Sequence, residues 1–230
     1  MSNKWLLKES CNFRDSLSLF YKRVLEFNEV SGNNLYDDKL KGLYTKLVDE
    51  EIRELLEAFG KGDPVQYLKE LADCFVVASY CFFCHNPDDT DVILNTENAN
   101  ISDDLYCDNS DFLYNMILSM EEKSYNNSLT IDALESYAYS LDVDFTSILH
   151  EVMDSNFSKF LTVQQASTIY EGKMGEVCKG IEKKSEGRYN NITSLENNGY
   201  IVFRDGSGKI LKGPLYKDAS ISKYIPHKWL

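Results

Sequence analysis

Asp49-Glu-Glu-Ile-Arg-Glu-Leu-Leu-Glu57 is answered further along the chain by Lys69-Glu-Leu-Ala-Asp73. At a helical step of about 100° per residue, Glu50, Glu51 and Glu54 fall within one arc of roughly 100°, with Glu57 beside it. Val48, Ile52, Leu55, Leu56 and Phe59 take the opposite side, so the first stretch reads as an amphipathic helix. Glu70 and Asp73 are three apart and share a helix face. They lead into Leu71-Ala-Asp-Cys-Phe-Val-Val-Ala-Ser-Tyr-Cys-Phe-Phe-Cys84, which is apolar nearly all the way round and reads as buried. Carboxylates at the start of a buried helix are costly unless protonated, paired or bound to a cation. No Arg and no second Lys lies nearby in sequence to neutralise them. Antiparallel packing of the two helices brings the acid groups together, and several ionised carboxylates at one spot call for a multivalent cation. Oxygen-only ligands favour Mg²⁺, Mn²⁺ or Ca²⁺ over zinc. Taken alone, the first acidic face would read as solvated surface; the buried second helix tips the balance toward a site.

The 230 residues suffice for one compact domain, or one domain with an appendage. A net charge of -13 and a pI near 4.7 argue against an extended surface for nucleic acid or an anionic membrane. Small phosphate substrates stay open, because a bound metal reverses the local sign. Nothing resembles a signal peptide and no apolar run is long enough for a membrane span, so the expectation is a cytoplasmic protein. The cysteines at 11, 74, 81, 84, 107 and 178 lack the density of a disulfide scaffold. Cys81-Phe-Phe-Cys84 with His85 invites a zinc or redox reading. A single pair ending an apolar helix fits buried structural thiols better.

Apolar spacing through Phe13, Leu17, Phe20, Tyr21, Val24 and Leu25 predicts a first helix over about 10–27. The first acidic helix should run from near Asp37 to Gly60-Lys-Gly62, and Asp63-Pro64 should cap the next. Residues 86–111, rich in Asp, Asn and Thr, read as a loop or acidic insertion. Helical patterning resumes over Phe112–Met120, Ile131–Tyr139 and Phe145–Phe160, where His150 reads as structural. Beyond residue 162, Thr162–Glu182 reads as partly helical. Tyr200–Arg204, Asp205-Gly-Ser-Gly208 and Lys209–Lys212 read as strand, turn, strand. The expected organisation is a helical domain over 1–162 and an extension with a β-hairpin over 163–230. Asn156 and Lys159, three apart, can offer an amide and an ammonium on one face.

Glu50-Glu51-x-x-Glu54 followed by Glu70-x-x-Asp73 resembles the signature of the all-α nucleoside triphosphate pyrophosphohydrolases. This MazG-like group includes dimeric dUTPases and phosphoribosyl-ATP pyrophosphohydrolase. The likeness covers residues 37–85 and, more loosely, 145–216. It implies a mainly α fold, an antiparallel helical bundle with a small C-terminal β-hairpin, and Mg²⁺-dependent cleavage between the α and β phosphates, with Mn²⁺ as a substitute. By the same likeness Glu51, Glu54, Glu70 and Asp73 are expected to ligate metal, and Glu50 to act as general base or to bind an additional ion. Asp154-Ser-Asn-Phe-Ser-Lys-Phe160 resembles a Ser-Asn-x-Ser-Lys segment that lies beside the nucleotide in some members, which implies substrate contacts for Asn156 and Lys159. Gly208-Lys-Ile-Leu-Lys-Gly-Pro-Leu-Tyr216 resembles the tail of phage and bacterial members, and there Lys209 and Lys212 are candidates to reach phosphate. A homodimer or dimer of dimers is expected. The expected substrate is a canonical or modified (d)NTP. Phosphoribosyl-ATP hydrolysis and a non-catalytic helical interaction protein with a cation-binding face are the alternatives.

Overall fold

Two aspartates and a glycine mark the ends of the helix pair that carries the acidic motif in the computed structural model, which describes residues 3–90, 109–122, 129–141 and 143–226. Helix α2 spans Asp38–Lys61, and the side chain of its N-cap Asp37 accepts from the Lys39 amide at 3.0 Å. It stops at Gly62, whose φ of 67° is left-handed and whose N–H donates to Phe59 O at 3.1 Å. Asp63 then caps α3, Pro64–His85, by accepting from the Val65 and Gln66 amides at 3.0 Å each, with Pro64 in the first turn. Only Gly62 and Asp63 separate the two helices, so α3 must fold back along α2. The ring pairs confirm it: Phe59 meets Tyr67 at 5.8 Å beside the turn, and Tyr44 meets Tyr80 at 4.6 Å at the far end.

Burial follows the apolar pattern. Val48, Ile52 and Leu55 of α2 and Leu68, Leu71, Phe75 and Phe83 of α3 are buried, whereas Phe59, expected on the apolar side, is 45% exposed. Helix α1, Asn3–Val30, is longer than the expected 10–27. It sets Phe20 against Phe75 and Tyr21 against Phe83, with ring centres 6.1 and 6.0 Å apart. Helices α4 (Asn109–Glu122), α5 (Leu129–Ser140) and α6 (Phe145–Phe157) follow. Phe112 and Tyr137 stack at 4.0 Å, tying α4 to α5. Of the expected 86–111 loop, Pro87–Asp89 forms a short 3-10 turn, Asn109 begins α4, and 91–108 lies outside the described residues. Helix α6 ends at Phe157, short of the expected Phe160.

The chain divides into two compact units: Met1–Leu25, Asn34–Met153 and Ser220–Leu230 form one, and Glu26–Asn33 with Asp154–Ala219 forms the other. The expectation placed one division, at 162/163. The final segment returns to the first unit because Glu151 anchors it, accepting from the Ser220 amide at 3.1 Å and from the Lys223 ammonium at 2.8 Å.

In the second unit, β1 (Leu161–Thr162), β2 (Thr193–Asn197) and β3 (Tyr200–Arg204) form an antiparallel sheet in the order β1-β3-β2. Helices α7 (Val163–Tyr170) and α8 (Met174–Lys184) pack on it, burying Ala166, Val177 and Cys178 with Leu161, Ile201, Phe203 and Leu211. The expected hairpin is corrected here. Strand β3 pairs along its length with the segment before it, through the turn Asn198-Gly199 with φ of 45° and 79°, and only at its end with Lys209–Lys212. On its other edge β1 occupies Tyr200 and Ile201, so Lys209–Lys212 meets only the strand's end, through an isolated Arg204–Ile210 bridge and the Leu211 amide donating to Phe203 O at 2.9 Å. The chain then bends away at Gly213, whose amide donates to Lys159 O at 2.9 Å. A Cβ there would lie 2.5 Å from that oxygen, so only glycine fits. The hairpin also finishes the end of α1, with Asn197 donating to Glu29 O at 2.7 Å and to Val30 O at 3.1 Å. Among the described residues no helix is long and apolar enough to cross a membrane.

Candidate metal centre

The antiparallel course of α2 and α3 sets Glu51 opposite Glu70 and Asp73. One carboxylate oxygen from each lies within 4.8 Å of the other two. Glu70 is 3% exposed. Its Oε1 accepts from the Gln66 amide and lies 3.6 Å from the Lys69 ammonium, while its Oε2 is buried with no partner among the described residues. Lys69 also donates to Asp73 Oδ2 at 2.8 Å.

The protonation states follow from this crowding. Burial first, then the charges of Asp73, Glu54 and Glu70, push the Glu51 carboxyl from its ordinary 4.5 up to about 8, against the pull of Lys69. Glu51 therefore carries a proton at neutral pH in the metal-free centre. Burial raises Glu70 as well, with Lys69 opposing and Asp73 and Glu54 adding to the rise. For Lys69, burial works against the charge, but Asp73, Glu70 and Glu51 outweigh it and the ammonium is held above its ordinary range. The neighbouring Cys74 thiol is pushed well up by burial and by the same carboxylates.

Three carboxylates face one ammonium, and a buried oxygen is left without a donor. An unpartnered buried carboxylate oxygen forgoes about 1–3 kcal/mol or more. A divalent cation fits this set: it supplies the missing charge, and hard oxygen donors are its preferred ligands. The arrangement is an acidic cluster able to hold such an ion.

Glu54, expected as a fourth ligand, and Glu50, expected as general base or as ligand of an additional ion, are exposed on α2 and stand outside the close trio, although the Glu54 charge is felt at Glu51 and Glu70. Gln66 and Lys69 were given no role from sequence. Their signal was legible, since each stands four residues before the carboxylate it serves, Glu70 and Asp73. Asn156, Lys159, Lys209 and Lys212 belong to the second unit. Asn156 is buried and accepts from the Lys159 ammonium at 2.5 Å, so that pair does meet. Lys159, Lys209 and Lys212 line one cavity there. Cys81 and Cys84 are buried free thiols, raised by burial to about 11 and about 12, which suits packing and not metal or redox chemistry.

Residues 14–100, which include every carboxylate of the centre, match the family model of phosphoribosyl-ATP pyrophosphohydrolase. That family belongs to the all-α NTP pyrophosphohydrolase superfamily, to which this segment is therefore similar. It spans less than half of the chain, and the whole 154–219 part of the second unit lies beyond it. No curated protein and no solved structure matches the sequence. The mostly helical architecture with a small C-terminal antiparallel sheet accords with the fold expected of such a domain. The matched segment thus places its acid groups on a tight helix hairpin, capped at both ends of the turn.

Proposed function

We propose that the chain is a Mg²⁺-dependent nucleoside triphosphate pyrophosphohydrolase that converts a (d)NTP to its monophosphate and pyrophosphate, with Mn²⁺ able to substitute. The observation that carries the reading is the orphaned, buried Oε2 of Glu70 inside the Glu51–Glu70–Asp73 cluster. A divalent cation bound there supplies charge neutralisation at the phosphate oxygens and a more acidic water. Glu51, Glu70 and Asp73 would hold it, and Glu54, whose charge already reaches Glu51 and Glu70, would add a fourth carboxylate. Glu51 must give up its proton for this, so binding releases a proton below about pH 8. Gln66 and Lys69 fix the orientation of Glu70 and Asp73. Glu50, exposed on α2, accepts the proton of the attacking water.

A second reading, phosphoribosyl-ATP as substrate, is favoured by the family model itself. Both are decided by measuring pyrophosphate release, with Mg²⁺ and with chelator, from a panel of (d)NTPs and phosphoribosyl-ATP. Orthophosphate with a nucleoside diphosphate as products would overturn α–β cleavage, and no turnover of any of these substrates would leave only a cation-binding helical protein. A homodimer or dimer of dimers is part of the same proposal, and a 26.4 kDa particle in light scattering would contradict it.

A further inference from the structure

The second unit contains a cavity of about 1070 Å³ whose walls run against the charge of the chain. Its lining brings together six cations, Lys159, Lys173, Lys184, Arg188, Lys209 and Lys212, and only two carboxylates, Glu171 and Glu176, in a protein of net charge -13. These cations come from three separate stretches of sequence: the turn after α6, helix α8 with its flanks, and the segment after β3. A structural role accounts for part of the set. Lys173 pairs with Glu171 at 2.7 Å, and Lys212 lies 3.5 Å from Asp218 and 4.1 Å from the Tyr216 ring centre. Lys184, in the last turn of α8, complements the helix dipole. It does not account for Arg188, which lies past the helix end with its guanidinium 5.3 Å from the Tyr189 ring centre. Neither Lys184 nor Arg188 makes an ion pair among the described residues. Apart from Ser185, the remaining lining is apolar or aromatic, including Tyr170, Tyr189, Val177 and Ile181.

Cations on flexible stems around an apolar, tyrosine-bearing floor suit a ligand with an anionic end and a flat body. We propose that this cavity binds a small phosphorylated molecule carrying a flat ring, of mononucleotide kind, and that it does so without a metal ion. The phosphate lies among Lys184, Arg188 and Lys209, and the ring rests on the tyrosine-bearing floor. The site goes beyond the acidic centre, because it lies outside the matched family segment and contains no cluster of ligands for a cation.

The test is calorimetric titration of adenosine monophosphate into the full chain in the presence of EDTA. Adenosine monophosphate is expected to bind, and adenosine, lacking the phosphate, to bind at least tenfold more weakly. Lys184→Ala with Arg188→Ala is expected to weaken adenosine monophosphate at least tenfold, and Lys209→Ala severalfold. All three side chains are exposed, so folding is not at stake. Glu70→Gln is expected to leave the affinity unchanged. No binding in EDTA, binding indifferent to the cation variants, or equal loss in Glu70→Gln would each overturn the proposal. Turnover then separates the sources of the ligand. A raised KM for the substrate in the double variant means that the cavity takes the substrate itself. Unchanged turnover with lost adenosine monophosphate binding means that it takes a separate phosphorylated molecule; both outcomes uphold the site.

Discussion

The acidic centre of the helix hairpin and the cationic cavity of the second unit carry opposite charge, and they carry it differently. Glu70 is buried to 3% exposure on a rigid helix, so its charge interacts through a poorly polarisable medium and needs a close partner. Lys184, Arg188 and Lys209 are exposed on long stems, so water already satisfies them and any ligand competes with water and salt. A buried cluster demands its counter-ion; an exposed one only welcomes it. The contrast is open to measurement, and the largest effect is expected where burial is deepest.

Glu70→Gln should lower turnover by about a hundredfold or more, the scale of several kcal/mol that a bound metal contributes to such a transition state. In EDTA the same variant should melt at the same temperature as the parent or higher, because it removes a charge with an unpartnered oxygen. A lower melting temperature in EDTA together with full turnover would mean that Glu70 is a structural group.

The next effect is on pH. Glu51 is held at about 8 in the fold against an ordinary 4.5, so between those values the folded state binds the extra proton. Stability of the metal-free protein should therefore be greatest below about pH 4.5 as far as this group is concerned, and should be lost as pH rises through about 8. The gain in melting temperature on adding Mg²⁺ should grow over the same window. Thermal melts from pH 5 to 9, with and without Mg²⁺, check both; Glu51→Gln should flatten them.

A smaller difference should separate the two exposed glutamates. Glu54→Gln should weaken Mg²⁺ binding, since its charge is felt inside the cluster, whereas Glu50→Gln should lose most turnover and keep Mg²⁺ affinity. Equal loss of affinity in both would make Glu50 a ligand. The smallest effect is from salt: raising NaCl from about 0.05 M to about 0.5 M should weaken adenosine monophosphate in the cavity severalfold, with a lesser change in Mg²⁺ affinity at the buried centre. Equal sensitivity would erase the distinction between the two regions.

The helix hairpin was legible because its signals are local. Asp37, Gly62, Asp63 and Pro64 state where α2 ends and α3 begins, and the apolar run after Asp73 states which helix is buried. Which glutamates close the cluster was not legible. Glu50, Glu51 and Glu54 share one arc, and only the rotation of α2 against α3 selects Glu51 as the half-buried member that meets Glu70 and Asp73. The hairpin error has a different cause. Strand β2, Thr193–Asn197, has Leu195 as its one apolar residue, and that side chain is 53% exposed. It is held by backbone pairing to β3, which leaves no hydrophobic alternation to read. The better signal was the Asn198-Gly199 turn, whose positive φ values suit those two residues. The Asp205-Gly-Ser-Gly208 turn is a competing signal, and Lys209–Lys212 does meet the end of β3 before Gly213 commits the chain to Lys159.

The anchoring of Ser220 and Lys223 on Glu151 bears on the order in which the protein is made. Translation is vectorial, and the stretch that completes the first unit leaves the ribosome after the whole of the second. By then every residue of the second unit, up to Ala219, has already been synthesised. In the nascent chain Glu151 therefore stays unclasped until Ser220 and Lys223 have emerged. Stalled chains ending before Ser220 would contain the whole acidic hairpin yet lack the closing segment, and their sensitivity to protease would report how much the clasp contributes.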